Sequence, residues 1–271
     1  MRRRVRLLLV LLLVLLTLAA AVALSIPIDA YLNRDRVGLL TNALAPGAAP
    51  VAMYRALPRE ALAGAEGPFP AVVMIHEFWG LNESLLGKAD ALATEGYVVV
   101  APDTLRGNAT RWFPRALYQS ITASAERVST DLDSVLRALR SDPLVDPQRI
   151  AVMGFCFGGT QALAYSLSRP DAVAATAVFY GSVGDDAEAL ARLRGPVLGI
   201  FGESDNLIPL TSVAAFEGAL MASGTPHRIE VFPGVGHAFV TSVEGIASDP
   251  IQAAAWGMLR DFLAETLGRA E

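Results

Sequence analysis

The sequence predicts an α/β fold: a mainly parallel sheet with helices on both faces, preceded by an N-terminal hydrophobic anchor helix. Three observations carry this. Unbroken apolar runs at 71–75 and 97–101, and a run at 174–180 interrupted only by Thr176, have the composition of strands buried on both faces. Stretches with apolar residues at helical spacing separate them, as Val128, Leu132, Val135, Leu136 and Leu139 do. The two kinds of segment alternate from residue 68 to 267, with no internal repeat.

The chain begins with Arg2, Arg3, Arg4 and Arg6, followed by residues 7–24, which are uncharged and almost wholly aliphatic. Residues 1–26 therefore read as a targeting or anchoring segment. The length favours a retained signal anchor, since a cleaved signal peptide has a shorter apolar region. The Ala21-Val-Ala23 triplet keeps cleavage and secretion as the alternative. In either case the arginines stay on the cytoplasmic side, and the rest of the chain is placed outside the cytoplasmic membrane.

Residues 27–67 read as a linker, with an early edge strand at 51–56. The domain proper is expected over 68–271. Its first strand, 71–75, ends in His76-Glu77-Phe78-Trp79-Gly80-Leu81-Asn82, and polar residues at the carboxyl end of such a strand mark where an α/β sheet places ligands. A helix over 83–95 stops at Gly96. The strand at 97–101 leads into a loop at 104–114 carrying Arg106, Arg111, Trp112 and Phe113, then into one long helical stretch, 115–140. Strands follow at 149–153, 174–180, 196–201 and 228–232. The intervening helices are expected at 160–168, within 181–194 and at 210–221, with a closing amphipathic helix at 251–267.

The 271 residues carry a formal charge of −5, and the body beyond the four arginines carries −9. An acidic body without a basic cluster argues against a nucleic-acid partner. One cysteine forms no internal disulfide, and three histidines with that cysteine give no familiar metal-ligand spacing. No metal or cofactor is expected. A monomer is the default, with the membrane engaged through the N-terminal helix only.

The chemistry centres on Gly154-Phe-Cys156-Phe-Gly158, the thiol counterpart of the Gly-x-Ser-x-Gly nucleophile elbow, with a strand before it and a helix after it. A nucleophile at so tight a turn is held in a strained backbone conformation. The N–H of Phe157, at the helix start, faces the place where an oxyanion would form. Two later strand ends supply partners. Asp205 ends a Gly202-x-x-Asp turn, and His237 follows Gly234-x-Gly236. His237 can take the thiol proton, and Asp205 can fix its tautomer. Glu203 is a rival acid, and His227 reads as structural or exposed. The N–H of Phe78 is the candidate second oxyanion donor. A buried carboxylate at Glu77 is costly without a task or partner. It is read as a catalytic group that accepts the thiol proton or holds the thiol at rest; an ion pair with an arginine of the 106–115 loop is the structural alternative.

These elements, together with Ala101-Pro-Asp103 and Gly236-His237-x-Phe239, resemble the dienelactone hydrolase family of the α/β-hydrolase fold over residues 68–267. The resemblance implies a Cys156-Asp205-His237 triad acting on esters or lactones without a cofactor, and a glutamate at Glu77 that helps activate the thiol when substrate arrives. The family's type enzymes open a cyclic enol-lactone bearing a carboxylate, which two arginines hold. One of those arginines follows the catalytic histidine closely; here Val240 and Thr241 stand there. The other is matched by Arg111 or Arg115. Trp79, Trp112 and Phe239 are expected, with Arg111, to line the substrate pocket. The expected activity is hydrolysis of a small ester or lactone. Other acyl transfer by the same triad, such as thioester or peptide cleavage, and a non-catalytic ligand-binding module on the same fold are the alternatives.

Overall fold

The structure is a computed structural model that describes residues 2–268. Met1 and residues 269–271, assigned above to the anchor and the domain's end, lie outside the described residues. In chain order the elements are α1 (Arg2–Leu32), β1 (Ala43–Ala45), β2 (Val51–Ala56), α2 (Arg59–Leu62), β3 (Phe69–Ile75), α3 (Glu83–Ala93), β4 (Val98–Pro102), α4 (Phe113–Thr122), α5 (Ala125–Arg140), β5 (Val145–Phe155) and α6 (Phe157–Ser168). Then come β6 (Ala175–Phe179), α7 (Ala187–Leu190), β7 (Val197–Gly202), α8 (Leu210–Ser223), β8 (His227–Phe232), α9 (Val243–Ser248) and α10 (Pro250–Leu267).

Among the described residues eight strands form one sheet in the order β1-β2-β4-β3-β5-β6-β7-β8. β1 and β2 pair antiparallel with each other, as do β2 and β4; every later pairing is parallel. The apolar runs of β3 and β4 have no polar face because both faces are covered. Val72 and Met74 pack with Leu85, Leu92, Leu259 and Leu263 from α3 and α10, whereas Val73 and Ile75 pack with Val128, Leu132, Val135 and Ala162 from α5 and α6. A third cluster joins Val178 and Phe201 to Val213, Phe216 and Leu220 of α8. Truncating such a side chain, Leu132→Ala for example, removes about 2–5 kcal/mol.

Three expectations are corrected. The strand expected at 51–56 is present as β2, but it is an inner strand rather than an edge, because a further strand of the 27–67 segment, β1, takes the edge. A three-residue strand flanked by Asn42 and Pro46 has too little alternation to read from sequence. Helix α1 does not end with the anchoring segment at residue 26 but continues through Pro27 to Leu32. Proline removes one helix hydrogen bond, and side-chain contacts with the body hold the turns beyond it. The stretch 115–140 is two helices, broken at Ala123-Ser124, where Ser124 accepts from the Arg127 N–H as an N-cap.

Candidate active site

Residue 156 is forced into its conformation by its neighbours. Cys156 has φ 52° and ψ −116°, a region that costs an L-residue on the order of 1–3 kcal/mol. Its N–H is held by the Phe179 carbonyl of β6 at 2.9 Å. Gly154 and Gly158 make the turn possible. A Cβ on Gly154 would lie 2.2 Å from the Gly158 carbonyl carbon, and one on Gly158 would lie 2.2 Å from the Ile75 oxygen. The thiol therefore sits between the tips of β5 and β3, with α6 starting directly behind it.

The tips of β7 and β8 bring the partners. The Cys156 Sγ and His237 Nε2 are 2.9 Å apart, and His237 Nδ1 is 2.7 Å from Asp205 Oδ2. The Asp205 side chain is fully buried, and its other oxygen accepts from the N–H groups of Leu207 and Ile208 at 2.8 and 3.1 Å. A carboxylate so held is an acceptor only, which fixes the His237 proton on Nδ1 and leaves Nε2 to accept from the thiol. Glu203, the rival acid, instead accepts from the Gly234 N–H at 2.8 Å. His227 lies outside the site and donates to the Thr225 carbonyl at 2.7 Å.

Electrostatics keep the sulfur neutral. Burial first, and then the negative charge of Glu77, push the Cys156 thiol up to about 11. The N–H groups of Phe157 and Phe78 are hydrogen-bonded to the sulfur and act in the opposite direction. This is the geometry of a two-donor anion site, with one N–H from the elbow and one from the loop after β3.

Glu77 has a partner, but not the arginine considered above. Burial raises its carboxyl, opposed first by the charge of Lys88, then by His237 and by a hydrogen bond with Tyr180. Lys88 lies on the inward face of α3, is only 3% exposed, and rests its ammonium 4.6 Å from the centre of the Phe155 ring. Burial lowers the pKa of that amine, and Glu77 acts against it. The Tyr180 hydroxyl is also 3.3 Å from the Val240 carbonyl, so it can donate to either acceptor. Its ring meets the His237 ring edge-on at 5.3 Å. Lys88 and Tyr180 escape sequence reasoning, since nothing local marks a helix lysine or a strand-end tyrosine as facing a carboxylate. The positive φ of Tyr180 and Ala238, 41° and 56°, is equally invisible there.

The loop bearing Glu77 and Phe78 is pinned from behind. His76, fully buried, donates from Nδ1 to the Glu77 carbonyl at 2.7 Å and accepts at Nε2 from Thr104 at 3.0 Å. Burial lowers its pKa and keeps the ring neutral. Gln119 of α4 donates to the Phe78 carbonyl at 2.7 Å.

A cavity of about 460 Å³ opens beside the thiol. Its wall reaches Glu77 and Ala238, the neighbours of the thiol and the imidazole, rather than Cys156 or His237 themselves. Trp79 and Arg111 line it, with Arg36, Lys88, Glu83 and Thr241. Arg36 and Arg111 both approach Glu83, at 2.9 and 3.7 Å. Two residues expected in the pocket lie elsewhere. Phe239 is 9% exposed and packs on Tyr180 and Phe232 in the core. Trp112 lies outside that wall and donates from Nε1 to Ser25 of α1. Arg115 turns under α4 to Asp29 at 2.9 Å, away from the cavity.

A thiol, an imidazole and a carboxylate in one hydrogen-bonded line, beside two N–H donors, can carry out nucleophilic acyl transfer. The same chain has relatives with this fold. A protein of Methylorubrum extorquens named "Putative carboxymethylenebutenolidase" is 28% identical over 227 residues, 78% of this chain and 76% of its own. One of the same name from Escherichia coli K12 is 31% identical over 200 residues, 69% of this chain and 72% of its own. The crystal structure of "Putative Dienelactone Hydrolase" from Klebsiella pneumoniae superposes with a TM-score of 0.70 at 26% identity, covering 83% of this chain and all of that one. The sequence profile of the dienelactone hydrolase family matches residues 54–267, from inside β2 to the last residue of α10. With the sheet order, the elbow and that match in agreement, this chain belongs to the dienelactone hydrolase family and is a hydrolase.

Proposed function

We propose that this protein hydrolyses a small carboxylic ester or lactone through Cys156, His237 and Asp205, by way of a thioester. The observation that carries the reading is the continuous line from Cys156 Sγ through the His237 ring to Asp205, at 2.9 and 2.7 Å. The Sγ proton passes to His237 Nε2 as sulfur attacks the carbonyl carbon. The carbonyl oxygen becomes an oxyanion held by the N–H groups of Phe157 and Phe78. Collapse breaks the ester C–O bond, and the leaving oxygen takes the proton from His237. Water then gives a proton to His237 and attacks the thioester. The thiol leaves with that proton, and the carboxylic acid departs. Glu77 holds the thiol neutral at rest and assists its ionisation when substrate enters.

Three cations, Arg36, Lys88 and Arg111, face two carboxylates, Glu77 and Glu83, around the cavity. That balance suits a substrate with a polar or acidic group beside its carbonyl. The chain is further proposed to be tethered by α1, a helix long and apolar enough to cross a membrane, with the body outside the cytoplasmic membrane. Activity on an aryl ester and on a lactone, abolished by iodoacetamide and by Cys156→Ala, is the expected result. Turnover that survives both treatments rules the thiol mechanism out.

A further inference from the structure

Helix α4 is built inside out. Its two longest polar side chains point inward: Arg115 is 3% exposed and bound to Asp29 and Asn108, and Gln119 is 7% exposed and bound to the Phe78 carbonyl. Its large apolar side chains point outward. Phe113, Leu117, Tyr118 and Ile121 are 45–72% exposed on one side of the helix, with Trp112 just before them. Arg115 is the only charged residue of α4, so the outward face carries no charge. A helix at a water-facing surface has the opposite pattern.

The position of that face supplies its partner. Residues 7–28 of α1 are uncharged, and the almost wholly aliphatic part of that run, 7–24, is about 27 Å long at roughly 1.5 Å per residue, near the thickness of a bilayer's hydrocarbon core. The very next residue, Ser25, accepts from Trp112 Nε1 at 2.9 Å. One turn later Asp29 accepts from Thr110 at 2.5 Å and from Arg115 at 2.9 Å. The start of α4 is thus fastened to the anchor where its apolar run ends, at the depth where tryptophan and tyrosine favour the membrane–water boundary. The cavity entrance is next door: Phe113 lies 5.9 and 6.4 Å from the rings of Phe78 and Trp79.

We propose that the outward face of α4, with Trp112, rests in the interfacial layer of the bilayer that α1 spans, so that the active site opens at lipid level and takes ester substrates that partition into the membrane. The inference rests on the proposal that α1 is a retained anchor. An amphipathic ester fits both surroundings, its polar end in the cavity and its apolar chain over α4.

The test uses the full chain in phosphatidylcholine nanodiscs, with and without lipids brominated near the carbonyl end of the acyl chain. Trp112 emission, taken as the difference from Trp112→Phe, is expected to fall roughly twofold in brominated discs, since an indole at the interface meets the bromines. A Leu12→Trp reporter in the Trp112→Phe background reads the anchor separately. Quenching of the Leu12→Trp reporter without quenching of Trp112 overturns this inference and leaves the anchor in place; quenching of neither overturns both. Unquenched Trp112 in discs holding two chains gives the face to a second copy, which also overturns it. In activity, Leu117→Glu with Ile121→Glu should lower turnover of a long-chain ester dissolved in the disc by about tenfold and leave a short water-soluble ester unaffected. Equal loss on both esters contradicts the proposal.

Discussion

Gln119 of α4 donates to the Phe78 carbonyl across 2.7 Å, tying the helix to the loop that offers an N–H toward the Cys156 sulfur. If that N–H stabilises an oxyanion, loosening the loop should cost the chemical step more than binding. Gln119→Met is expected to lower kcat by about tenfold, less than the roughly 100- to 1,000-fold seen when an oxyanion donor itself is lost, with KM little changed. Steady-state kinetics on an aryl ester check this, and a change confined to KM would assign Gln119 to substrate binding instead.

Suppression of the resting thiol makes a direct prediction for alkylation. With its pKa up at about 11, the thiol is about 10⁻⁴ ionised at pH 7. Iodoacetamide reacts with the thiolate, so its rate should climb steadily past pH 9 rather than level off near 8.5 as for an ordinary cysteine. Glu77→Gln removes a negative charge that opposes a second one; the thiol pKa falls and the rate at pH 8 rises. A rate already on a plateau near pH 6 would mean a preformed thiolate–imidazolium pair.

Lys88 is expected to act through Glu77. Its positive charge opposes the burial that raises the Glu77 carboxyl, so Lys88→Met should raise that carboxyl further. If ionised Glu77 assists the thiol, the acid limb of kcat/KM moves to higher pH in Lys88→Met, and in Glu77→Gln that limb is lost. An acid limb at the same pH in all three proteins would dissociate it from Glu77.

Helix α1 is held to the body by a largely buried pair, Arg115 with Asp29, whose side chains are 3% and 21% exposed. Removing one partner leaves the other charge without its ion, a loss of about 1–3 kcal/mol after allowance for the exposure of Asp29. Asp29→Ala should therefore lower the Tm of the full chain in nanodiscs more than the double change Asp29→Ala with Arg115→Met. Equal losses would show that the pair contributes little beyond packing.

Much of this molecule is legible in the chain because its signals are local. The buried strands are continuous apolar runs, as Val98–Pro102 is, and the elbow declares itself through two glycines whose removal would drive atoms into contact. The approach of residues 156, 205 and 237 follows from strand ends on one edge of a parallel sheet. What escaped depends on contacts distant in sequence. Lys88 reads as an ordinary helix lysine until α3 packs against β3, and Trp112 reads as a pocket residue until α1 arrives beside it. The burial of Phe239 against Tyr180 and the brevity of Ala43–Ala45 have no local mark either.

The most direct test of the central claim is to look for the acyl group. A slowly deacylating aryl ester, mixed with the full chain and quenched in acid during the initial burst, should leave one acyl group on the peptide containing Cys156, found by mass spectrometry. The adduct should be absent in Cys156→Ala and should form far more slowly in His237→Gln, which lacks the base for the thiol proton. An acyl group on another residue, or steady turnover by Cys156→Ala, would contradict the account.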